Sequence, residues 1–163
     1  MNPSFSTCDL YDSYGDLCNS CDTQFKQYGG RRSFSGRIRT VKCLEDNLLL
    51  RRTLETAGKG NVLIVDGSAS LRTALMGDAI AGIGVQNGWS GVVIYGAIRD
   101  SQAMSDMNLG VKALGSNPKK SAKQGSGSFD IPVSFGGITF TPGDWVYSDE
   151  DGILVSPKKL LEP

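Results

Sequence analysis

Asp78, Arg99 and Asp100 are the residues of this chain whose types and spacing could do chemistry together. Twenty residues separate Asp78 from Arg99, room for one helix and one strand. A helix beginning near Gly77 would present unpaired amide hydrogens and the positive end of its dipole, both suited to a carboxylate. If the following strand runs parallel to the strand before that helix, Arg99 and Asp100 arrive beside the same helix start. That is the carboxyl end of the strand, where open α/β sheets carry their chemistry. Such a pocket would combine an anion cradle, a fixed guanidinium and a carboxylate able to hold a hard cation. The plainer reading is an Asp that caps a helix and an ordinary Arg-Asp neighbour pair.

Histidine is absent from the 163 residues, which removes the Ser-His-Asp triad, the Cys-His pair and every His-ligated zinc site. Acids and bases must then be carboxylates, Lys, Tyr, Cys or bound water. Cys8, Cys18, Cys21 and Cys43 all lie in the first quarter. Cys18 and Cys21 have the spacing of a redox or zinc pair, but no second pair follows, so reduced thiols are the ordinary expectation, with a disulfide or a four-cysteine site as alternatives. Asp144 with the run Ser148-Asp-Glu-Asp-Gly152 could attract calcium, yet it lacks the length and glutamate of an EF-hand loop and reads as a solvated hairpin turn. Lys119, Lys120 and Lys123 form the one local basic cluster and read as a solvated loop.

The elements that must position these groups alternate. A short helix is expected over Cys8 to Tyr14, capped by Ser6 or Thr7. A half-exposed strand follows between Ser33 and Cys43, and a helix from Asn47 to Ala57 behind Asp46. Asn61 to Val65 is a buried strand ending in Asp66-Gly67. Gly77 to Gln86 is a helix rich in small residues, whose glycines cost up to ~1 kcal/mol each relative to alanine. Gly91 to Gly96 and Leu109 to Leu114 are further strands, Gly115 to Gly127 is an exposed loop, and four short strands follow between Ile131 and Val155.

Composition narrows the partners. Seventeen Lys plus Arg balance seventeen Asp plus Glu, so no overall field draws the chain to nucleic acid or to an anionic membrane. No apolar run approaches the ~20 residues of a membrane span, and the polar start lacks the layout of an export signal, so the expected location is cytoplasmic. Length and composition call for one soluble domain, residues 1–163.

Several segments together resemble one family. They are Cys8-Asp-Leu-Tyr11, Thr40-Val-Lys-Cys43, Val65-Asp-Gly67, Gly77-Asp-Ala-Ile80, Gln86 to Asp100 and Gly143 to Val155. The chain is similar in these to the RraA-like family, which contains the regulator of ribonuclease E activity and the class II 4-hydroxy-4-methyl-2-oxoglutarate aldolases. The resemblance implies an α/β fold, a compact swivelling β/β/α domain whose central sheet is barrel-like and flanked by helices, assembled as a homotrimer with sites between neighbours. It also implies roles. The amides of Gly77, Asp78, Ala79 and Ile80 would hold a substrate carboxylate, Arg99 would contact the substrate, and Asp100 would anchor a divalent cation. With oxygen ligands alone, Mg²⁺ or Mn²⁺ is expected over Zn²⁺. Asp78 would position the water that serves as base. The implied activity is cleavage of 4-hydroxy-4-methyl-2-oxoglutarate to two pyruvates, with decarboxylation of oxaloacetate through the same enolate. A Schiff-base route is disfavoured because no lysine is expected inside an apolar strand beside this constellation. The alternative is a regulator that binds and inhibits ribonuclease E without direct contact to nucleic acid.

Overall fold

The computed structural model describes residues 4–161. In chain order it contains α1 (Thr7–Tyr14), a 3-10 turn (Gly15–Leu17), β1 (Asn19–Ser20), β2 (Lys26–Gln27), β3 (Phe34–Lys42), α2 (Leu48–Leu54) and β4 (Val62–Asp66). Then come β5 (Ala74–Met76), α3 (Asp78–Gln86), β6 (Gly91–Ile98), α4 (Ser101–Met104) and β7 (Gly110–Ser116). The β-rich end holds β8 (Ser128–Phe129), β9 (Val133–Phe135), β10 (Ile138–Phe140), β11 (Trp145–Ser148) and β12 (Ile153–Ser156). This is a mixed α/β fold with one large sheet and few helices, as the sequence leads one to expect.

The apolar run of β4 is buried along its whole length because it sits mid-sheet, parallel to β3 on one side and to β6 on the other. β6 is in turn parallel to β7. Alternation along these strands feeds two cores. Leu63, Val65, Val92, Ile94 and Val111 face a cluster completed by Leu50 and Leu54 of α2 and Ile80 and Ala81 of α3. Val62, Ile64 and Val93 face the other way, toward Phe135 and Phe140 of the β9–β10 hairpin and Val146, Ile153 and Val155 of β11 and β12. Phe34 belongs to this second cluster, and its ring lies over the paired Gly91 and Gly110. A Cβ at either glycine would sit 2.3 or 2.1 Å from the ring.

The sheet curls. In strand order β11 and β7 are separated by β3, β4 and β6. Nevertheless Lys112 of β7 donates from Nζ to the carbonyl of Asp149, and at 3.5 Å to that of Gly152, both in the turn between β11 and β12. That reach across three strands requires a barrel-like wrap. Burial pushes the Lys112 ammonium below its ordinary value, with the Asp149 charge opposing it.

Several local expectations change. The Ser148–Gly152 turn does join two strands, but Asp149 is buried rather than solvated. Its carboxylate accepts from the Thr7 N–H and hydroxyl, both at 2.7 Å, and so anchors the first turn of α1. A lysine does lie inside an apolar strand, Lys112, but its amine is occupied by carbonyls and it does not line the cavity that holds Arg99 and Asp100. The cysteines are dispersed. Cys18 packs with Leu10, Tyr147 and Leu154, Cys21 packs against the Phe135 cluster, and Cys43 lies in the α2–α3 core. All four are free, and no cluster of three or more Cys, Asp or Glu that could hold a metal exists among the described residues. Among the described residues no helix is long and apolar enough to cross a membrane.

Candidate active site

The segment before α3 folds as β5, a short strand that no hydrophobic period marks. It pairs in parallel with the last residues of β6, Ala97 and Ile98. The chain leaves both strands at the same end. One exit enters α3 through Gly77, and the other becomes Arg99-Asp100 and turns into α4. The Arg99 N–H donates to the carbonyl of Met76 at 3.0 Å, which locks the two exits side by side.

Asp100 stands in the left-handed region, φ 55° and ψ 42°, an arrangement that Asp tolerates better than most residues. This turn aims its carboxylate back at α3. Oδ2 accepts from the Asp78 N–H at 3.0 Å and lies 3.9 Å from Nε of Arg99. The Asp78 amide first, then the Asp78 side chain and last the Arg99 guanidinium, hold the Asp100 carboxyl below the usual carboxylate range against some desolvation. Gly77 is where this close approach is decided, because a Cβ there would sit 2.6 Å from Asp100 Oδ2 and 3.2 Å from Arg99 Nε. The requirement is steric; the Gly77 backbone is extended, φ −114° and ψ −168°.

Asp78, Arg99 and Asp100 are thereby brought together, with Gly77, Ala79 and Ile80, around one cavity of about 100 Å³. One detail departs from expectation. The Asp78 amide is not free, since Asp100 occupies it. Those of Ala79 and Ile80 belong to the first turn of α3 and have no partner inside the helix. An adjoining groove of about 220 Å³ shares Arg99 and Asp100 and is otherwise walled by Ser101, Ser116, Asn117 and Pro118. A larger hollow of about 690 Å³ lies along β10 and β12, but Asp144 is its one charged side chain. The smaller cavity is the candidate site, because charge converges there.

Sequence reasoning missed the remaining lining of this cavity. Asn47, Arg51, Lys120, Ser121 and Lys123 line it together with Gly77 and Arg99. The lysines come from the stretch that reads as a solvated loop. No local pattern marks it, because what fixes it are contacts with residues far away in sequence.

A divalent cation fits the donor set in one way. Asp100 uses Oδ2 within the protein, is about a third exposed at its side chain and retains a second oxygen. No multi-carboxylate cage accompanies it among the described residues. One carboxylate with water and substrate oxygens is the manner of Mg²⁺, which dehydrates reluctantly, rather than of a closed protein site.

Comparison with known proteins identifies the lineage. Residues 7–155 match the family described as RraA-like, Aldolase/RraA. A curated protein of Aromatoleum aromaticum, named "Putative 4-hydroxy-4-methyl-2-oxoglutarate aldolase", is 54% identical over 157 residues, covering 96% of this chain and 99% of its own length. Among solved structures, one from Geobacillus kaustophilus described as S-adenosylmethionine:2-dimethylmenaquinone methyltransferase superposes with a TM-score of 0.94 at 47% identity, covering 96% of this chain and 97% of that one. The structure of the RNA-processing inhibitor RraA from Thermus thermophilis superposes with a TM-score of 0.92 at 44% identity, covering 96% and 94%. Similar sequences thus carry three different functional names, while the match across nearly the whole length fixes the lineage: the chain belongs to the RraA-like family.

Proposed function

We propose that the protein is a metal-dependent lyase that cleaves 4-hydroxy-4-methyl-2-oxoglutarate to two pyruvates and decarboxylates oxaloacetate in the same pocket, working as a homotrimer. The observation that carries this reading is the Asp78–Asp100 hydrogen bond, which joins a helix start, a guanidinium and a half-free carboxylate into one cavity. The name of the 54% identical relative supports the choice of substrate.

Both reactions leave electrons on a pyruvate enolate, and that developing charge must be stabilised. The free amides of Ala79 and Ile80 receive the 2-oxo acid's carboxylate at the positive end of α3. Arg99 places a planar donor pair beside the oxygen that gains charge. The exposed carboxylate of Asp78 orients the water that takes the proton of the substrate's 4-hydroxyl. Asp100 would hold Mg²⁺ or Mn²⁺, and the chemistry such an ion supplies there is Lewis acidity toward the 2-oxo group.

Pyruvate release from oxaloacetate, followed with a coupled dehydrogenase, tests the proposal. Activity should require added Mg²⁺ or Mn²⁺ and stop with excess EDTA. Asp100→Ala should abolish it, and Asp100→Asn, which still suits the left-handed backbone, should abolish it too, separating lost charge from lost geometry. Arg99→Ala should lower kcat/KM at least ~100-fold, the scale of one preorganised donor. Undiminished turnover in EDTA would overturn the metal assignment.

The 44% identity to the RNA-processing inhibitor favours a second reading, in which the outer surface of the protein binds and restrains ribonuclease E. Co-purification with ribonuclease E by a protein inactive on both substrates would select it. The zero net charge argues for a protein contact rather than one with RNA.

A further inference from the structure

The stretch from Lys119 to Gly125 looks like a tether and is built like a wall. Two separate segments, residues 73–74 and 45–48, secure it. On one side the Ala74 N–H donates to the Lys119 carbonyl at 2.8 Å, and the buried Ser121 hydroxyl donates to the Ala74 carbonyl at 2.7 Å while meeting Thr73 Oγ1 at 3.0 Å. On the other side Ala122 is clasped by the Glu45 carbonyl at 2.9 Å and the Asn47 N–H at 3.0 Å. Beneath it the Asp46 carboxylate, 3% exposed, accepts from the N–H groups of Gln124 and Gly125 at 2.8 and 3.1 Å and from Leu48 at 3.2 Å. A buried carboxylate satisfied by backbone amides is a costly way to hold an exposed loop, and the arrangement has a product. It delivers Lys120 and Lys123 to the cavity that the start of α3 also lines.

The charge there is unbalanced. Arg51, Arg99, Lys120 and Lys123 line the cavity against Asp78 and Asp100, in a chain whose total is zero. Arg51 is paired with Glu55 at 3.0 Å, and Arg99 faces Asp100. Neither Lys120 nor Lys123 forms an ion pair among the described residues. Two ammonium groups without an ion pair, lining the same cavity as a helix start suited to one carboxylate, match an anion that carries a second negative group.

We propose that Lys120 and Lys123 are specificity-determining residues that bind the distal carboxylate of a 2-oxo diacid, and that Asp46 is the positioning residue holding their loop in place. This rests on the reading of the site as one for 2-oxo acids. It goes beyond that reading by assigning diacid selection to a wall outside the Gly77–Ile80 and Arg99–Asp100 constellation.

The test is equilibrium binding by calorimetry, in Mg²⁺ buffer, of 2-oxoglutarate and 2-oxobutyrate, which share the 2-oxo acid head and differ in the distal carboxylate. The wild-type chain should bind 2-oxoglutarate at least ~10-fold more tightly, about 1.4 kcal/mol. Lys120→Gln/Lys123→Gln should bind both alike with 2-oxobutyrate affinity unchanged, and the double Arg variant should restore the preference. Asp46→Ala should reduce the preference and leave 2-oxobutyrate affinity in place, a split that general loss of structure would not produce. Equal binding of the two acids by the wild type, or a preference that survives in the double Gln variant, overturns this proposal alone. Binding of neither acid overturns it together with the proposed function.

Discussion

At the scale of single residues, Gly77 decides whether the site assembles. Its missing Cβ leaves space for Asp100 Oδ2 to reach the Asp78 amide. Gly77→Ala should therefore push the carboxylate away and cost about 100-fold in kcat/KM, the scale of an ångström-sized misplacement. The same change should alter stability by no more than about 1 kcal/mol, because the site is at the surface and the backbone there is extended. Parallel kinetics and thermal unfolding would separate the two effects, and equal wild-type activity would contradict the steric argument. The sequence already displayed Gly77, Asp78, Arg99 and Asp100 as a group, because a helix and a strand of ordinary length between them leave few other placements. Asn47, Lys120 and Lys123 were hidden, since the contacts that bring them in run through Asp46, Thr73 and Ala74 and leave no periodic trace.

At the scale of elements, the legible pieces were those with a strong internal signal. β4 and β6 announce themselves as unbroken apolar runs, and α3 lies between a turn and Asn87-Gly88. The helix after Asp46 ends earlier than expected, at Leu54 rather than Ala57. β5 has three residues and no alternation; its existence depends on the edge that β6 offers. The packing of Phe34 over β6 and β7 makes a sharper claim. Gly91 and Gly110 are neighbours in register, and either Cβ would enter the ring. Gly91→Ala should destabilise by about 1–3 kcal/mol, as overpacking does. In a Phe34→Leu background the same change should cost measurably less, and additive losses in denaturant unfolding would show that the ring is not the reason.

At the scale of the whole molecule, Asp149 ties the two ends of the described chain together. Burial pushes its carboxyl up, but donation from Thr7, Asp151 and Gly152 outweighs this and holds it below the ordinary value. A depressed carboxyl adds stability that is full above its unfolded value, near 4, and disappears as pH falls through the lower folded value. Asp149→Asn should thus destabilise by about 1–3 kcal/mol at neutral pH. The gap to wild type should close on acidification below pH ~4, and a gap that widens there would refute the assignment. Lys112 gives the same sign in a higher window, because burial favours its neutral form and whatever it costs the fold diminishes as pH climbs toward the ordinary lysine value.

The lysine-bearing stretch has a practical corollary for anyone who engineers this protein. Rich in glycine, serine and charge, it looks like the safest position for a tag, a fluorophore or a protease cut. Its backbone is stitched to residues 45–48 and 73–74, so a graft there would unpick two distant seams at once.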